Sequence, residues 1–244
     1  MTKTTMKNQS ISLIEKMRAS GRYVPIDDDE YKRLQREALA RIAQNEQNTY
    51  VPDYKRIGIS EHETGLTWAA IRPNVSDGIK AVQALRPMYE RGWGMLFVWG
   101  TWGQAKTLLG KILTATALRD GKRAAYANMS SVLDDIRLAY DEKEHKNTEL
   151  LRKMDWWMGR DVLFLDELDK SNDTQWAQER MFQLIDKRYQ MAVREEAITV
   201  IASNKSLDEL DGYLQSRLHD RRIGQSIFLN GNDGRAVMPD NWKF

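Results

Sequence analysis

The segment from Gly94 to Thr107, Gly-Met-Leu-Phe-Val-Trp-Gly-Thr-Trp-Gly-Gln-Ala-Lys-Thr, carries a glycine-rich turn that ends in Lys106 and Thr107. An apolar run precedes the turn and apolar residues at helical spacing follow it, which is the strand, turn and helix context of a phosphate-binding loop. In such a loop backbone N–H groups face the phosphates, the lysine bridges the terminal phosphates and the threonine hydroxyl holds Mg²⁺. The segment therefore predicts a nucleotide site, with an ordinary strand-to-helix turn and an incidental lysine as the alternative.

The pattern G-x-x-x-x-G-K-[ST] is broken at one position, where Ala105 replaces the last glycine. Because a Cβ atom is costly at positive φ, we expect Ala105 to have negative φ. The residues predicted to form the nucleotide-binding loop are Gly100, Thr101, Trp102, Gly103, Gln104, Ala105, Lys106, Thr107 and Leu108.

Two apolar runs farther along the chain end in polar residues, Asp166-Glu167 after the first and Ser203-Asn204 after the second. Such runs are typical of parallel strands buried on both faces, and open α/β sheets bind ligands at the carboxyl ends of their strands. In a nucleotide site Asp166 would bind the Mg²⁺ shell through water, and Glu167 would position and polarise the attacking water. Asn204 would orient that water or contact the γ-phosphate, although an asparagine at a strand end can also cap the next turn.

The order of elements predicts an α/β fold in which a parallel sheet is flanked by helices. Apolar runs and helical spacing alternate from about residue 76 to residue 229. Nearer the amino terminus an acidic run precedes a helical stripe that extends to about residue 47, either packing on its own domain or serving as a handle for a partner or a second subunit. We expect a helical partner-binding or oligomerisation region with a linker at residues 1–70, and the nucleotide-binding domain at residues 71–244.

Charge and composition exclude several classes of protein. The chain has 37 Lys+Arg against 35 Asp+Glu, a net charge of +2, so any contact with nucleic acid needs a local patch or assembled subunits. It has no cysteine, which excludes disulfides and thiolate zinc sites. No segment approaches the roughly 20 apolar residues that span a bilayer, so we expect a cytoplasmic protein without a membrane partner.

These motifs together resemble the AAA+ ATPases, and specifically the branch that holds the DnaC and DnaI helicase loaders and the IstB transposition helpers. The resemblance covers about residues 75–230, and it implies a P-loop NTPase of the AAA+ (ASCE) type without a C-terminal lid domain, preceded by a small helical N-terminal region. The residues that carry it, in the order of that branch, are Gly100, Lys106, Thr107, Asp166, Glu167, Ile185-Asp-Lys-Arg188, Asn204, Ser216-Arg217 and Asp220-Arg221.

The resemblance also implies a role for each matching residue in a Mg²⁺-dependent ATPase. Lys106 and Thr107 take the Walker A roles, Asp166 and Glu167 the Walker B roles, and Asn204 the role of the first sensor. ATP and Mg²⁺ are the implied cofactors, with Thr107 and Asp166 at the metal. Alanine before the lysine also occurs in MoxR-type ATPases and minichromosome-maintenance helicases, so Ala105 is compatible with binding.

Arg217 is implied as the arginine finger, which acts on ATP held by a neighbouring subunit, with Arg221 and Arg222 as alternative fingers or interface residues. A finger supplied in trans makes a homo-oligomer part of the mechanism, because charge on the transferred phosphoryl group is then stabilised only after assembly.

Three functions remain open from the sequence. The first is a DnaC-type loader that uses ATP-dependent oligomerisation to engage single-stranded DNA and a replicative helicase. The second is an IstB-like helper that assembles on duplex DNA and activates a transposase. The third is an ATP-binding interaction module with little turnover. The N-terminal cysteines that many helicase loaders use for zinc are absent, so no partner-binding mode carries over to residues 1–65.

Overall fold

The computed structural model describes residues 53–71, 77–141, 146–170, 174–231 and 233. The chain divides into two compact units, residues 1–51 and residues 52–244. The helix expected to end near residue 47 lies outside the described residues, so the partner-binding or oligomerising role of residues 1–70 stays a prediction.

Five parallel strands form the sheet of the described residues: β1 (Gly94–Gly100), β2 (Ala124–Asn128), β3 (Val162–Asp166), β4 (Ile198–Ser203) and β5 (Gly224–Leu229). In space their order is β2-β3-β4-β1-β5. Because β4 pairs with β3, Asn204 follows the strand next to the one that carries Asp166, as the sequence predicts. Because all pairs are parallel, the carboxyl ends of the strands lie at one edge of the sheet.

Helices cover both faces of the sheet, which confirms the predicted fold class of a P-loop NTPase. The helices of the described residues are α1 (Tyr54–Ile57), α2 (Gly78–Arg91), α3 (Lys106–Arg119), α4 (Met129–Asp141), α5 (Lys146–Met158), α6 (Gln175–Val193) and α7 (Gly212–Leu218). Side chains alternate between the faces along each strand. In β1, Leu96 and Val98 therefore pack with α2 and α3, whereas Met95 and Phe97 pack with α4 to α7.

Residues 53–71, in the stretch where we expect a linker, pack against the nucleotide-binding domain. Ile57, Ile59 and Ile71 are buried in the same cluster as α3. Glu63 forms an ion pair with Lys111 of α3. This segment therefore contributes to the core of the unit that holds the phosphate loop.

Two element boundaries differ from the predictions. Ser131 followed by Asp134 predicts a capped helix through Tyr140, whereas helix α4 begins at Met129, directly after β2. The apolar residues Ile227-Phe-Leu229 predict a last short strand, whereas strand β5 begins three residues earlier, at Gly224. Its first half is exposed and polar because it lies at the edge of the sheet, so it lacks the continuous apolar run by which a buried strand is recognised.

A buried arginine joins α6 to the inner strands. Arg188 is fully buried, and its Nε donates to Thr199 Oγ1 at 2.8 Å. Its guanidinium also donates to the carbonyls of Met158 (2.8 Å), Arg160 and Ile198 (2.5 Å). Burial lowers the pKa of Arg188 to about 9, so the group remains charged at neutral pH. Four acceptors from α5, β4 and the turn between α5 and β3 thus depend on one cation.

We predict that Arg188→Met lowers the free energy of unfolding by about 3 kcal/mol, because buried carbonyls lose a charged donor and no water can replace it. Urea titration followed by tryptophan fluorescence measures the change, since all eight tryptophans lie after residue 51. The matched control is Arg194→Met at the exposed end of the same helix, for which about 0.5 kcal/mol or less is expected. Equal stability of the two variants would contradict the role given to Arg188.

Candidate nucleotide-binding site

The predicted phosphate loop connects β1 to α3, at the carboxyl edge of the sheet. Gly100 has φ 145°, and a Cβ atom there would lie 2.0 Å from the carbonyl oxygen of Leu229 in β5. Gly103 has φ 76°. The two glycines therefore stand where the turn needs positive φ and, at Gly100, close approach of a neighbouring strand.

Ala105 contradicts the expectation of negative φ. It has φ 60° and ψ 20°, the left-handed conformation, and it directly precedes the first residue of α3. A non-glycine residue in this region is strained by about 1–2 kcal/mol. The loop thus keeps the backbone shape that a glycine would give, and the surrounding contacts must hold Ala105 in it.

The Lys106 side chain is folded along the loop. It is buried, and its ammonium donates to the carbonyl oxygens of Gly100 at 2.6 Å and Thr101 at 2.8 Å. A lysine at this position can exchange loop carbonyls for phosphate oxygens, which are stronger acceptors because they are charged. Trp102 lies in the same loop and is 65% exposed.

The carboxylate of Asp166, at the end of β3, is hydrogen-bonded to the start of α3 and to β2. It is buried, and its Oδ2 accepts from Thr107 Oγ1 at 2.7 Å and from the Tyr126 hydroxyl at 2.9 Å. Its Oδ1 accepts from the backbone N–H of Glu167 at 2.9 Å. Burial and the neighbouring carboxylate raise the pKa of Tyr126 above its usual range, so the phenol stays protonated and donates.

Two side chains hold the Glu167 carboxylate. Asn128 Nδ2, at the end of β2, donates to Glu167 Oε2 at 3.1 Å. Lys170 forms an ion pair with Oε1 from the other side. Glu167 itself has φ 52°, again in the left-handed region. The two contacts hold the carboxylate beside Asp166. The backbone of Glu167 is in a conformation that residues other than glycine seldom adopt.

Asn204 is hydrogen-bonded to the turn that follows the acidic pair, Asp166 and Glu167. Its backbone N–H donates to Asp169 Oδ1 at 2.8 Å, and its Nδ2 donates to Asp169 Oδ2 at 3.1 Å. Ser203 Oγ donates to the same carboxylate at 3.1 Å. Burial alone would raise the pKa of Asp169, but the hydrogen bonds from Asn204 outweigh it and lower that pKa. Asp169 therefore positions Asn204 as a charged acceptor.

Arg217 lies in α7 and is paired within its own chain. Its Nε donates to Asp186 Oδ1 at 3.0 Å, and its guanidinium carbon lies 3.5 Å from the centre of the Tyr213 ring. The Tyr213 hydroxyl donates to the same Asp186 oxygen at 2.8 Å. Nearby, Asp220 accepts from Arg222, which is exposed. Among the described residues, none of the arginines forms a hydrogen bond or ion pair with the Asp166 or Glu167 carboxylate.

The oxygen atoms of Thr107 and Asp166 suit a hard cation such as Mg²⁺, which prefers a few protein oxygens together with water and phosphate. In the part of the chain that the structure describes, no group of three or more His, Cys, Asp or Glu residues could hold a metal by itself. The site therefore fits a cation that arrives with nucleotide phosphates.

The structure thus brings together most of the residues predicted from the sequence. Lys106 and Thr107 lie at the start of α3, and the Thr107 hydroxyl reaches Asp166. Glu167 lies beside them and Asn204 one strand away. Arg217 contacts none of them and is bound to Asp186 instead.

Sequence reasoning missed four side chains that position these groups: Tyr126, Asn128, Asp169 and Lys170. One signal was available for Asn128, since it is a polar residue at the carboxyl end of a predicted strand. The same criterion selected Asp166 and Asn204. Tyr126 looks like an ordinary apolar strand residue, and only the pairing of β2 with β3 brings its hydroxyl to Asp166.

Comparison with protein families gives a match to the IstB-like ATP binding protein family over residues 80–227, more than half of the chain. The chain belongs to this family. The IstB-like region spans the phosphate loop, both acidic residues, Asn204 and Arg217, so the family assignment covers every group of the site. Among curated proteins, none matches the sequence.

Solved structures share the fold of this IstB-like chain at low sequence identity. The DnaC helicase loader is 19% identical with a TM-score of 0.51, and the alignment covers 70% of this chain and all of that one. DnaI is 17% identical with a TM-score of 0.52, covering 70% of this chain and 95% of that one. AMPPCP-bound DnaA from Aquifex aeolicus is 21% identical with a TM-score of 0.53, covering 65% of this chain and 48% of that one. The chain thus spans about half the length of the DnaA protein.

These comparisons establish an IstB-like ATP-binding domain, and the solved structures of DnaC and DnaI share its fold. No helix in the described ranges is both long enough and apolar enough to cross a bilayer.

We predict that Tyr126→Phe lowers the free energy of unfolding of the nucleotide-free protein by about 2 kcal/mol, because a buried carboxylate loses one of its hydroxyl donors. Urea titration measures the change. Tyr89→Phe is the matched control, since its hydroxyl donates to the exposed Asp120 and its loss should change stability by less than about 1 kcal/mol. If both phenylalanine variants are equally stable, Tyr126 does not support Asp166.

Proposed function

We propose that this IstB-like protein is a Mg²⁺-dependent ATPase of the helicase-loader type. In this proposal ATP drives assembly into a homo-oligomer that engages single-stranded DNA and a replicative helicase, and hydrolysis releases the partner. The observation that carries the ATPase part is the meeting of Thr107, Asp166 and Glu167 at the end of β3, with Lys106 in the adjoining loop.

The residues of this site divide the chemistry among them. The loop amides and Lys106 would bind the phosphates, and Thr107 and Asp166 would hold a cation, which would supply positive charge to stabilise the transferred phosphoryl group. Glu167 lies next to Asp166, where its carboxylate can orient water and accept its proton. Asn204, held by Asp169, faces the same edge of the sheet and can donate to that water or to a phosphate oxygen.

Two features support completion of the site by a second subunit. Phosphoryl transfer in such sites gains much of its rate from an arginine that contacts the transferred phosphoryl group, and Arg217, the residue expected in this role, is bound to Asp186 of its own chain. Arg217 lies on α7 with its side chain one quarter exposed and bound to Asp186. We propose that Arg217 leaves this pair on assembly and contacts the ATP of the neighbouring protomer.

A second candidate function is favoured by the family match. An IstB-like helper would use the same ATPase site but assemble on duplex DNA and act on a transposase. The two candidates differ in the DNA form that stimulates turnover and in the protein that is bound.

The first prediction for the ATPase concerns binding. Lys106→Ala should lose nucleotide binding by about 100-fold or more, because the loop loses its charged contact with the phosphates. Fluorescent ATP-analogue titration measures the Kd. Lys111→Ala is the matched control on the same helix: it only loses the ion pair with Glu63, so its Kd should stay near the wild-type value.

Glu167→Gln should bind ATP with nearly wild-type affinity and lose hydrolysis in the presence of DNA, since the amide cannot accept the proton of the attacking water. Phosphate release measures turnover. A wild-type rate that is no faster than that of Glu167→Gln would overturn the ATPase proposal and favour a passive ATP-binding module.

The finger assignment is tested by Arg217→Ala, which should keep ATP binding and reduce DNA-stimulated turnover on the order of 10³-fold. Mixing Arg217→Ala with Lys106→Ala should restore part of the activity, since each protomer supplies the half that the other lacks. Arg221→Ala and Arg222→Ala are the comparison variants. Full turnover of Arg217→Ala would remove this residue from the mechanism.

The partner and the DNA form are tested together. We expect single-stranded DNA to stimulate turnover more than duplex DNA, and ATP-dependent capture of a replicative helicase in a pull-down. Stimulation by duplex DNA only, with capture of a transposase, would replace the loader proposal by the IstB-like helper.

A further inference from the structure

One polar side chain of the phosphate loop is buried in the protein. Gln104 precedes Ala105 in the loop, yet its side chain is 1% exposed. Loop residues at variable positions of such a motif are usually exposed, and a buried amide needs hydrogen-bond partners for both of its polar atoms. The hydrogen-bond partners of Gln104 therefore show which segments of the chain hold the loop.

Those partners lie in two segments, one directly before α2 and the other after β5. Gln104 Oε1 accepts from the backbone N–H of Asp77 at 3.2 Å and of Gly231 at 2.9 Å. Its Nε2 donates to the Gly231 carbonyl at 2.6 Å. Asp77 precedes α2, and Gly231 follows β5. One amide thus joins the phosphate loop to two segments that are 154 residues apart in the chain.

The same two segments are also bound to each other. Asp77 Oδ2 accepts from the backbone N–H of Asn230 at 2.9 Å and from Lys80 Nζ at 2.7 Å. These hydrogen bonds, that of Lys80 first, lower the pKa of Asp77, so the carboxylate is charged at neutral pH. A Cβ atom on Gly103 would lie 1.9 Å from Asp233 Oδ1, so the chain after β5 also packs against the loop itself.

Gln104 directly precedes Ala105, the strained residue of the loop. Ala105 has φ 60°, and its backbone would relax to negative φ if the loop were free to move. On its carboxyl side the backbone continues into α3, which is buried in the core. On its amino side, the hydrogen bonds of the buried Gln104 side chain hold the backbone in place.

We propose that Gln104 is a positioning residue that holds the phosphate loop in its nucleotide-binding shape through its amide contacts with Asp77 and Gly231. Its side chain acts on the loop and not on the phosphates, because both polar atoms of the amide are hydrogen-bonded to the backbone of Asp77 and Gly231. It compensates for the alanine at position 105 by preventing the backbone from relaxing before ATP binds. This inference rests on the proposed nucleotide binding by the loop.

The test compares Gln104→Met, Ala105→Gly and the double variant with the wild-type full-length chain. Methionine keeps the volume of glutamine and removes its hydrogen bonds, and glycine at 105 removes the strain. Gln175→Met on α6 is the matched control, since that glutamine is exposed. Two readouts are used: the Kd for a fluorescent ATP analogue, and hydrogen exchange of residues 100–107 in the nucleotide-free protein.

We expect Gln104→Met to weaken nucleotide binding about tenfold and to speed exchange of the loop, as loss of one to two net hydrogen bonds would do. Ala105→Gly in the same chain should recover most of the affinity, because the loop no longer needs to be held against strain. A purely structural role would not give this rescue. Gln104→Leu also keeps most of the volume and removes the hydrogen bonds, so it should bind as weakly as Gln104→Met, and it provides a second variant if the methionine protein folds poorly.

The inference is overturned if Gln104→Met binds within twofold of wild type with unchanged loop exchange, or if the double variant binds as weakly as Gln104→Met. If the wild-type protein binds no nucleotide at all, the proposed function fails. The exchange measurement on the nucleotide-free protein still decides whether Gln104 holds the loop.

Discussion

The buried carboxylate of Asp166 is the constraint on which the rest of the site depends. A buried carboxylate must be satisfied by donors, and here the donors come from the start of α3, from β2 and from the backbone of the next residue. Thr107 and Tyr126 can reach it together only if β2 lies beside β3 and α3 begins where the loop ends. The strand order and the loop position are thus linked through one buried side chain.

Around that group, the residues of the proposed chemistry are held by neighbours that take no part in it. Asn128 and Lys170 hold Glu167, and Asp169 holds Asn204. Both Asp169 and Lys170 belong to the short turn after β3, so one turn connects the acidic pair with the asparagine of the adjoining strand. A shift of this turn would displace both groups at once.

The phosphate loop shows how the fold accommodates an unfavourable residue. Ala105 adopts the backbone conformation of the glycine it replaces. The strain is offset by contacts on both sides of this residue: α3 packs in the core, and Gln104 is hydrogen-bonded to Asp77 before α2 and to Gly231 after β5. The loop shape is consequently set by tertiary contacts more than by its local sequence. The position of Arg217 is likewise set by tertiary contacts, since its guanidinium pairs with Asp186 of α6.

The sequence by itself determined the elements with strong local signals. Continuous apolar runs ending in Asp166-Glu167 and Ser203-Asn204 identified β3 and β4 and the residues at their carboxyl ends, because strands buried on both faces tolerate few polar residues. The glycine and lysine spacing located the phosphate loop. These signals are contained within about ten residues each, so no knowledge of distant contacts was required.

The tertiary structure alone decided the features that depend on pairing between distant segments. The φ of Ala105 was predicted with the wrong sign because local sterics favour negative φ, whereas the contacts of the loop with residues 77 and 231 oppose relaxation. The start of β5 was missed because an exposed edge strand carries no apolar run. Tyr126, Asp169 and Gln104 have ordinary residue types for their positions, and they acquire positioning roles only when strand order and chain closure bring their partners within hydrogen-bonding distance.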